Sequence, residues 1–184
     1  FDYSNTTFDW PNMLDNVTSS NSQEEIDAVS TLMYACGVGV SMDYGIGSSG
    51  AYLVWGGING ENVPLTTGGL GTLIDYFGYS ASEAWRSNYN DSQWRNLLKN
   101  ELNSLRPIPY RGNGEGGHAF VCDGYDEWDN FHFNWGWSGS YDGYFVVTDL
   151  TPASYNFSNN NGIGIGVAPS IVEVFGCTNQ NASN

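Results

Sequence analysis

Positive charge is scarce in this sequence. Five Lys and Arg stand against 20 Asp and Glu, a formal net charge of −15 over 184 residues. The cations (Arg86, Arg95, Lys99, Arg106 and Arg111) all fall in one stretch, so both flanks are acidic. Neutralising phosphate takes clustered Lys and Arg, which argues against a nucleic-acid binder and against an anionic membrane surface. No apolar run approaches the ~20 residues that span a bilayer. No secretory signal is visible, and the chain opens at Phe1 rather than Met, so an upstream piece is expected to have been removed or to lie outside it. Three Cys are too few and too odd for a disulfide framework, and their spacing does not say whether Cys36 and Cys122 pair. Only two His are present, with no acidic cluster at ligand spacing, so neither a zinc site nor any other cofactor is expected.

What is present is Gly (24 residues) and aromatics (15%), in a chain long enough for one domain with a real core. Many Asn, Ser and Tyr, little Lys, and Asn-x-Ser/Thr sequons at Asn5, Asn16, Asn90, Asn156 and Asn181 suit an extracellular, secreted protein. Ser22-Gln23-Glu24-Glu25 forms a capping box that predicts a helix with Ile26, Val29, Met33 and Cys36 on its buried face and Gly37 as a left-handed stop. A second short helix is predicted over Leu70 to Phe77, ended by Gly78. A third is predicted from Asp91, as its cap, to the Pro107 break. Tyr52–Thr67 reads as a hairpin or insertion.

From Ile108 onward the pattern turns to strands: Ile108–Arg111, His118–Gly124, Asn130–Asn134 and Gly143–Thr148, with a last strand-like run at Ile171–Phe175. Helices first and an antiparallel sheet afterwards make an α+β fold. Residues 1–170 read as the domain and 171–184 as a terminal strand, tail or linker.

Chemistry is sought first at the histidines. His118 follows Gly-Asn-Gly-Glu-Gly-Gly and opens an apolar strand, where bare backbone at Gly116 and Gly117 lets a substrate chain come close. Position alone leaves open a loop-closing role for it. His132, between Phe131 and Phe133, reads as structural. Asn134-Trp135-Gly136-Trp137 ends the following strand; an Asn there can orient an imidazole, and an indole can shield that bond. No nucleophile is evident. Cys36 lies at the C-terminal end of its helix on the packing stripe. Cys122 stands four residues beyond His118, about 13 Å at ~3.3 Å per residue, and Cys177 sits in a polar tail.

The segments Leu32-Met33-Tyr34, Met42-Asp43-Tyr44-Gly45, Gly116-Gly117-His118-Ala119-Phe120-Val121, Asp123-Gly124-Tyr125 and Asn134-Trp135-Gly136-Trp137-Ser138-Gly139 resemble the streptopain family of secreted bacterial cysteine peptidases. The resemblance runs from about Phe8 to at least Leu150. It implies part of a papain-like fold and cleavage of protein substrates by a Cys–His dyad. It makes His118 the base, Trp135 the active-site tryptophan and Asn134 its neighbour. Trp137 and the Gly45–Gly50 loop, with Ser48 and Ser49, would flank the cleft. In that family the nucleophilic Cys precedes the Met-Asp-Tyr-Gly segment at the start of a long helix, and here it would have to come from an upstream segment or a second chain. On that reading the chain alone is inactive.

The competing reading is a non-catalytic extracellular module or filament subunit on the same fold, self-associating through Ile171–Phe175. Seven Trp and 12 Tyr would also suit a carbohydrate-binding module, although such aromatics commonly form cores.

Overall fold

A computed structural model describes residues 1–53 and 68–170. The predicted hairpin or insertion falls mostly, and the Ile171–Phe175 strand, the 171–184 tail and Cys177 entirely, outside the described residues. Helix α1 spans Gln23–Gly39, followed by the two-residue strands β1 (Asp43–Tyr44) and β2 (Ser49–Gly50) and by α2 (Gly69–Phe77). Strand β3 (Tyr79–Trp85) leads to α3 (Asp91–Asn103), and then come β4 (Ile108–Asn113), β5 (Gly117–Tyr125), β6 (Phe131–Asn134), β7 (Gly143–Phe145) and β8 (Asn159–Pro169). The large sheet runs β3-β8-β4-β5-β6-β7, antiparallel at every step. The α+β class expected from the sequence is what forms.

The capping box of α1 is complete: Ser22 Oγ accepts from the Glu25 amide, and the Glu25 carboxylate accepts from the Ser22 amide at 2.9 Å. The buried face of α1 differs from the expected one. Ala28, Ala35 and Gly37 are buried, whereas Met33 is 67% exposed and Cys36 is exposed. Close approach decides this. The Tyr3 hydroxyl donates to the Ala35 carbonyl at 2.6 Å, and the Tyr44 hydroxyl sits where a Cβ on Gly37 would be, so two tyrosine tips pack on this face of the helix. Gly37 is thus a packing residue inside the helix, and the left-handed residue past its end is Ser41. Gly78 ends α2 in the left-handed conformation as expected. The cap of α3 is Asn90, one residue before Asp91, because its carboxamide forms a reciprocal box with Gln93.

Two strands escape sequence patterning. Tyr79–Trp85 carries only weak alternation, and Asn159–Pro169, a Gly- and Asn-rich run without a strand signature, is the strand between β3 and β4. One face of the sheet packs on α3. Trp94 and Leu98 join Ile108, Tyr110, Phe120, Phe131, Phe133, Trp135, Phe157 and Ile163 in a continuous core. The Trp94 indole donates to the buried Tyr110 hydroxyl at 3.1 Å, satisfying both polar groups.

Glu101 ties this scaffold together. It is 7% exposed, takes two hydrogen bonds from the Arg106 guanidinium (2.7 and 3.0 Å) and accepts the Gly166 amide of β8 at 2.8 Å. The Arg106 hydrogen bonds, aided by the Gly166 amide, hold its pKa below the ordinary 4.5 against the opposing effect of burial. Glu101→Ala is expected to cost about 2–3 kcal/mol in urea unfolding at pH 7, since it strands a guanidinium and an amide. A group with a lowered folded pKa stabilises above its unfolded value and loses that contribution as pH falls through the folded one. Below pH 4.5 the parent is therefore expected to lose stability more steeply than the variant.

Candidate active site

His118 stands on β5 opposite Gly112 of β4. Gly112 is required there, because a Cβ would lie 2.0 Å from the Phe157 carbonyl and 2.8 Å from Asn161 Nδ2. That close passage brings the Phe157 ring within 5.0 Å of the imidazole. Asn161 secures it by donating to the Phe157 carbonyl at 2.8 Å. Trp137 stacks against the imidazole at 5.0 Å and lies 6.2 Å from Phe157, so the two rings form one aromatic corner around it.

The imidazole Nε2 lies 2.8 Å from the carbonyl oxygen of Trp135. A carbonyl only accepts, so Nε2 carries the proton, and in the neutral ring Nδ1 keeps the lone pair. The turn after β6 fixes that carbonyl. Trp135 donates its amide to Asp142 Oδ1 at 2.9 Å, and Gly136 turns the chain with φ 74°. The Asn134 carboxamide accepts from the Gly136 amide at 2.9 Å, which closes the turn. The expectation that the Asn134 side chain orients the imidazole is therefore corrected: the orienting group is the next residue's main chain. The indole beside the imidazole is also not that of Trp135, which is fully buried among Phe120, Phe133 and Phe145. It belongs to Trp137.

The strand end opens onto a groove of about 660 Å³. One wall is Gly117, His118 and Ala119 of β5 with Arg111 of β4. The other is built from Val40, Met42, Asp43, Ser49, Gly50 and the Ala51–Leu53 stretch, with Gly69 of α2. Of the residues the sequence singled out, Gly117, His118 and Ser49 line the groove, and Trp137 stands behind the imidazole. Gly116 and Ser48 do not line it, nor do Asn134 and Trp135.

Sequence reasoning missed Arg111, Asp142 and Phe157. Phe157 lies 39 positions past His118 and carries no local signal; Arg111 alternates with the buried Tyr110 and Gly112, which marks it as facing away from the core.

The other reactive groups are elsewhere. Cys122 is buried in the core, where desolvation, with help from Asp123, pushes its thiol pKa up to about 12. Cys36 is exposed on α1, yet desolvation on its inner side still raises its pKa, and it does not touch the groove. Both thiols are free. His132 pairs with Asp123 at 2.5 Å and meets Tyr144 edge-on, the structural role its flanking aromatics suggested.

Similarity to known proteins agrees with this arrangement. The Peptidase C10 family profile matches residues 1–145. The thiol protease/hemagglutinin PrtT of Porphyromonas gingivalis is 32% identical over 180 residues, covering 92% of this chain and 19% of its own. Streptopain of Streptococcus pyogenes is 32% identical over 172 residues, covering 91% of this chain and 39% of its own. The chain thus spans well under half the length of these relatives. Among solved structures, the active wild-type interpain A cysteine protease of Prevotella intermedia superposes with a TM-score of 0.77 at 37% identity, over 90% of this chain and 66% of that one. A cysteine-to-alanine mutant of a prointerpain A fragment from the same organism gives 0.71 at 37% identity, over 90% and 50%. With most of its length matched by the family and its fold shared with a cysteine protease, the chain belongs to the Peptidase C10 family, the streptopain-like cysteine peptidases.

Proposed function

We propose that this chain is the histidine-bearing portion of an extracellular cysteine endopeptidase that cuts protein chains, with its nucleophilic Cys on polypeptide outside these 184 residues. The observation that carries the reading is the imidazole of His118, held by its Nε2 proton on the Trp135 carbonyl and lining a groove, with Nδ1 unbonded among the described residues. The placement of Cys36 and Cys122, away from the groove and with raised thiol pKa values, supports a nucleophile supplied from elsewhere.

The chemistry follows from that geometry. Nδ1 takes the thiol proton, leaving a thiolate and an imidazolium. The thiolate attacks the peptide carbonyl carbon, and the C–N bond breaks as the imidazolium returns its proton to the departing amine. Water then cleaves the acyl-enzyme with His118 again as base. Trp135 acts through its carbonyl and Trp137 as a stacking wall. Asn134 acts on the turn rather than on the ring. Gly117 leaves backbone open to the peptide.

If the proton sits as argued, long-range ¹H–¹⁵N NMR of neutral His118 is expected to show the Nε2–H tautomer; an Nδ1–H pattern contradicts the base assignment. In casein cleavage, the full natural protein is expected to be thiol-dependent and to lose at least ~10³-fold in kcat/KM with His118→Ala, within the range for a lost acid–base group. Asn134→Ala is expected to cost less than about tenfold, because the Trp135 carbonyl remains in place. The isolated 184-residue chain is expected to be inactive. Thiol-dependent cleavage by it, abolished by Cys177→Ser, would place the nucleophile within the chain and overturn that part of the reading. Absence of cleavage by any form of the protein would favour the non-catalytic module.

A further inference from the structure

In a chain of net charge −15, every cation but one is paired with a carboxylate. Arg86 pairs with Asp91, Arg95 and Lys99 share Asp129, and Arg106 holds Glu101. The exception among the described residues is Arg111, and it lines the groove beside His118. Its position is built. The guanidinium lies over the Trp85 ring at 5.5 Å and donates to Asn113 Oδ1. Burial pulls its pKa below the ordinary value, and no carboxylate among the described residues offsets that desolvation. A desolvated cation without a counter-charge is costly to keep. Asp43 lines the groove too, on the opposite wall, and forms no ion pair with it.

We infer that Arg111 is a specificity-determining residue that selects a carboxylate on the peptide lying in the groove. The inference rests on the peptidase reading for the presence of a peptide there, and on Arg111 alone for the sign of its charge. Among the described residues only Asn113 engages a guanidinium donor, which leaves others for a two-pronged contact with a carboxylate. Arg111 pairs across the ladder with Ala119, the neighbour of His118. Side chains alternate along a strand, so Arg111 shares a sheet face with Ala119 rather than with His118, and it is the groove lined by all three that brings Arg111 to the peptide. The preference is not the one net charge suggests. A strongly acidic protein draws basic peptides at long range, whereas Arg111 imposes the opposite choice at one position. The carboxylate can come from a Glu or Asp side chain or from a peptide C-terminus.

Binding separates these cases without turnover. The full natural protein carrying His118→Ala is titrated with peptides blocked at both ends and differing only in Glu, Gln or Lys, scanned one position at a time. A further all-neutral peptide has a free C-terminal carboxylate. At one position the Glu peptide is expected to bind about tenfold more tightly than the Gln peptide, as one charge-assisted pair supplies. Preference for the free-terminus peptide alone would assign the carboxylate to the chain end. Arg111→Gln is expected to bring Glu and Gln within twofold, and Arg111→Glu to favour Lys. Arg111→Lys, which keeps charge but not the fork, should retain part of the preference and serves if Arg111→Glu fails to fold. Equal binding of all peptides, no measurable binding, or a preference that survives Arg111→Gln overturns the inference. Failure of the peptidase reading is seen separately, as casein cleavage indifferent to His118→Ala.

Discussion

The hydrogen bond from His118 Nε2 to the Trp135 carbonyl is the contact around which the site is organised. Because its acceptor is main chain, the ring's orientation is a property of the backbone path rather than of any one side chain. That path is set by the β5–β6 register, with Val121 opposite Asn134, and by the turn that Asp142, Gly136 and the Asn134 carboxamide hold in shape. The aromatic packing fixes what the hydrogen bond leaves free. Trp137 and Phe157 each lie 5.0 Å from the imidazole, so the ring has little room to swing about its single bond to the carbonyl. An imidazole held by an aromatic corner and by one nitrogen presents its other nitrogen in a defined direction, which is the preorganisation that the proposed proton transfer needs.

The few cations of this acidic chain are distributed to the same end. Arg106 is committed to Glu101, which reaches from α3 to the Gly166 amide of β8 and so ties the helix to the second strand of the sheet. Lys99 and Arg95 converge on Asp129 in the loop before β6, anchoring α3 to the strand whose end supplies the Trp135 carbonyl. Structural pairs of this kind contribute modestly one by one, but each sits where it joins the helix to the strands of the site. Arg111 differs: its neighbours among the described residues are a ring and a carboxamide in place of a carboxylate.

Much of this was legible in the residues. Ser22 and Glu25, Gly78, and the strands around His118 and Phe133 carry local signals, because caps, left-handed stops and aromatic strands depend on near neighbours. The pairing of a Gly-Gly-His strand with an Asn-Trp-Gly strand end was likewise visible, since adjacent antiparallel strands bring those ends together. What was not legible depends on distant partners. The face of α1 is chosen by Tyr3, Tyr44 and α2, so larger apolar side chains on its stripe yield to Ala and Gly. Strand β8 lacks a strand signature because Asn and Gly occupy much of it, yet it pairs on both sides with β3 and β4. Asn134 was a reasonable partner for an imidazole by residue type, but a carboxamide next to a left-handed Gly finds the nearer amide first.

The two walls of the groove rest on unequal foundations. The histidine wall belongs to a sheet whose core is closed by α3, with Trp94, Leu98 and Tyr110 fully buried, so the imidazole is held by interactions internal to the described residues. The opposite wall rests on α1 and the β1–β2 pair, where Met33, Tyr34, Val38, Tyr44 and Ile46 stand exposed. Apolar surface of this extent is costly in water unless something covers it. The groove thus joins a wall closed by its own core to a wall that carries an exposed apolar layer.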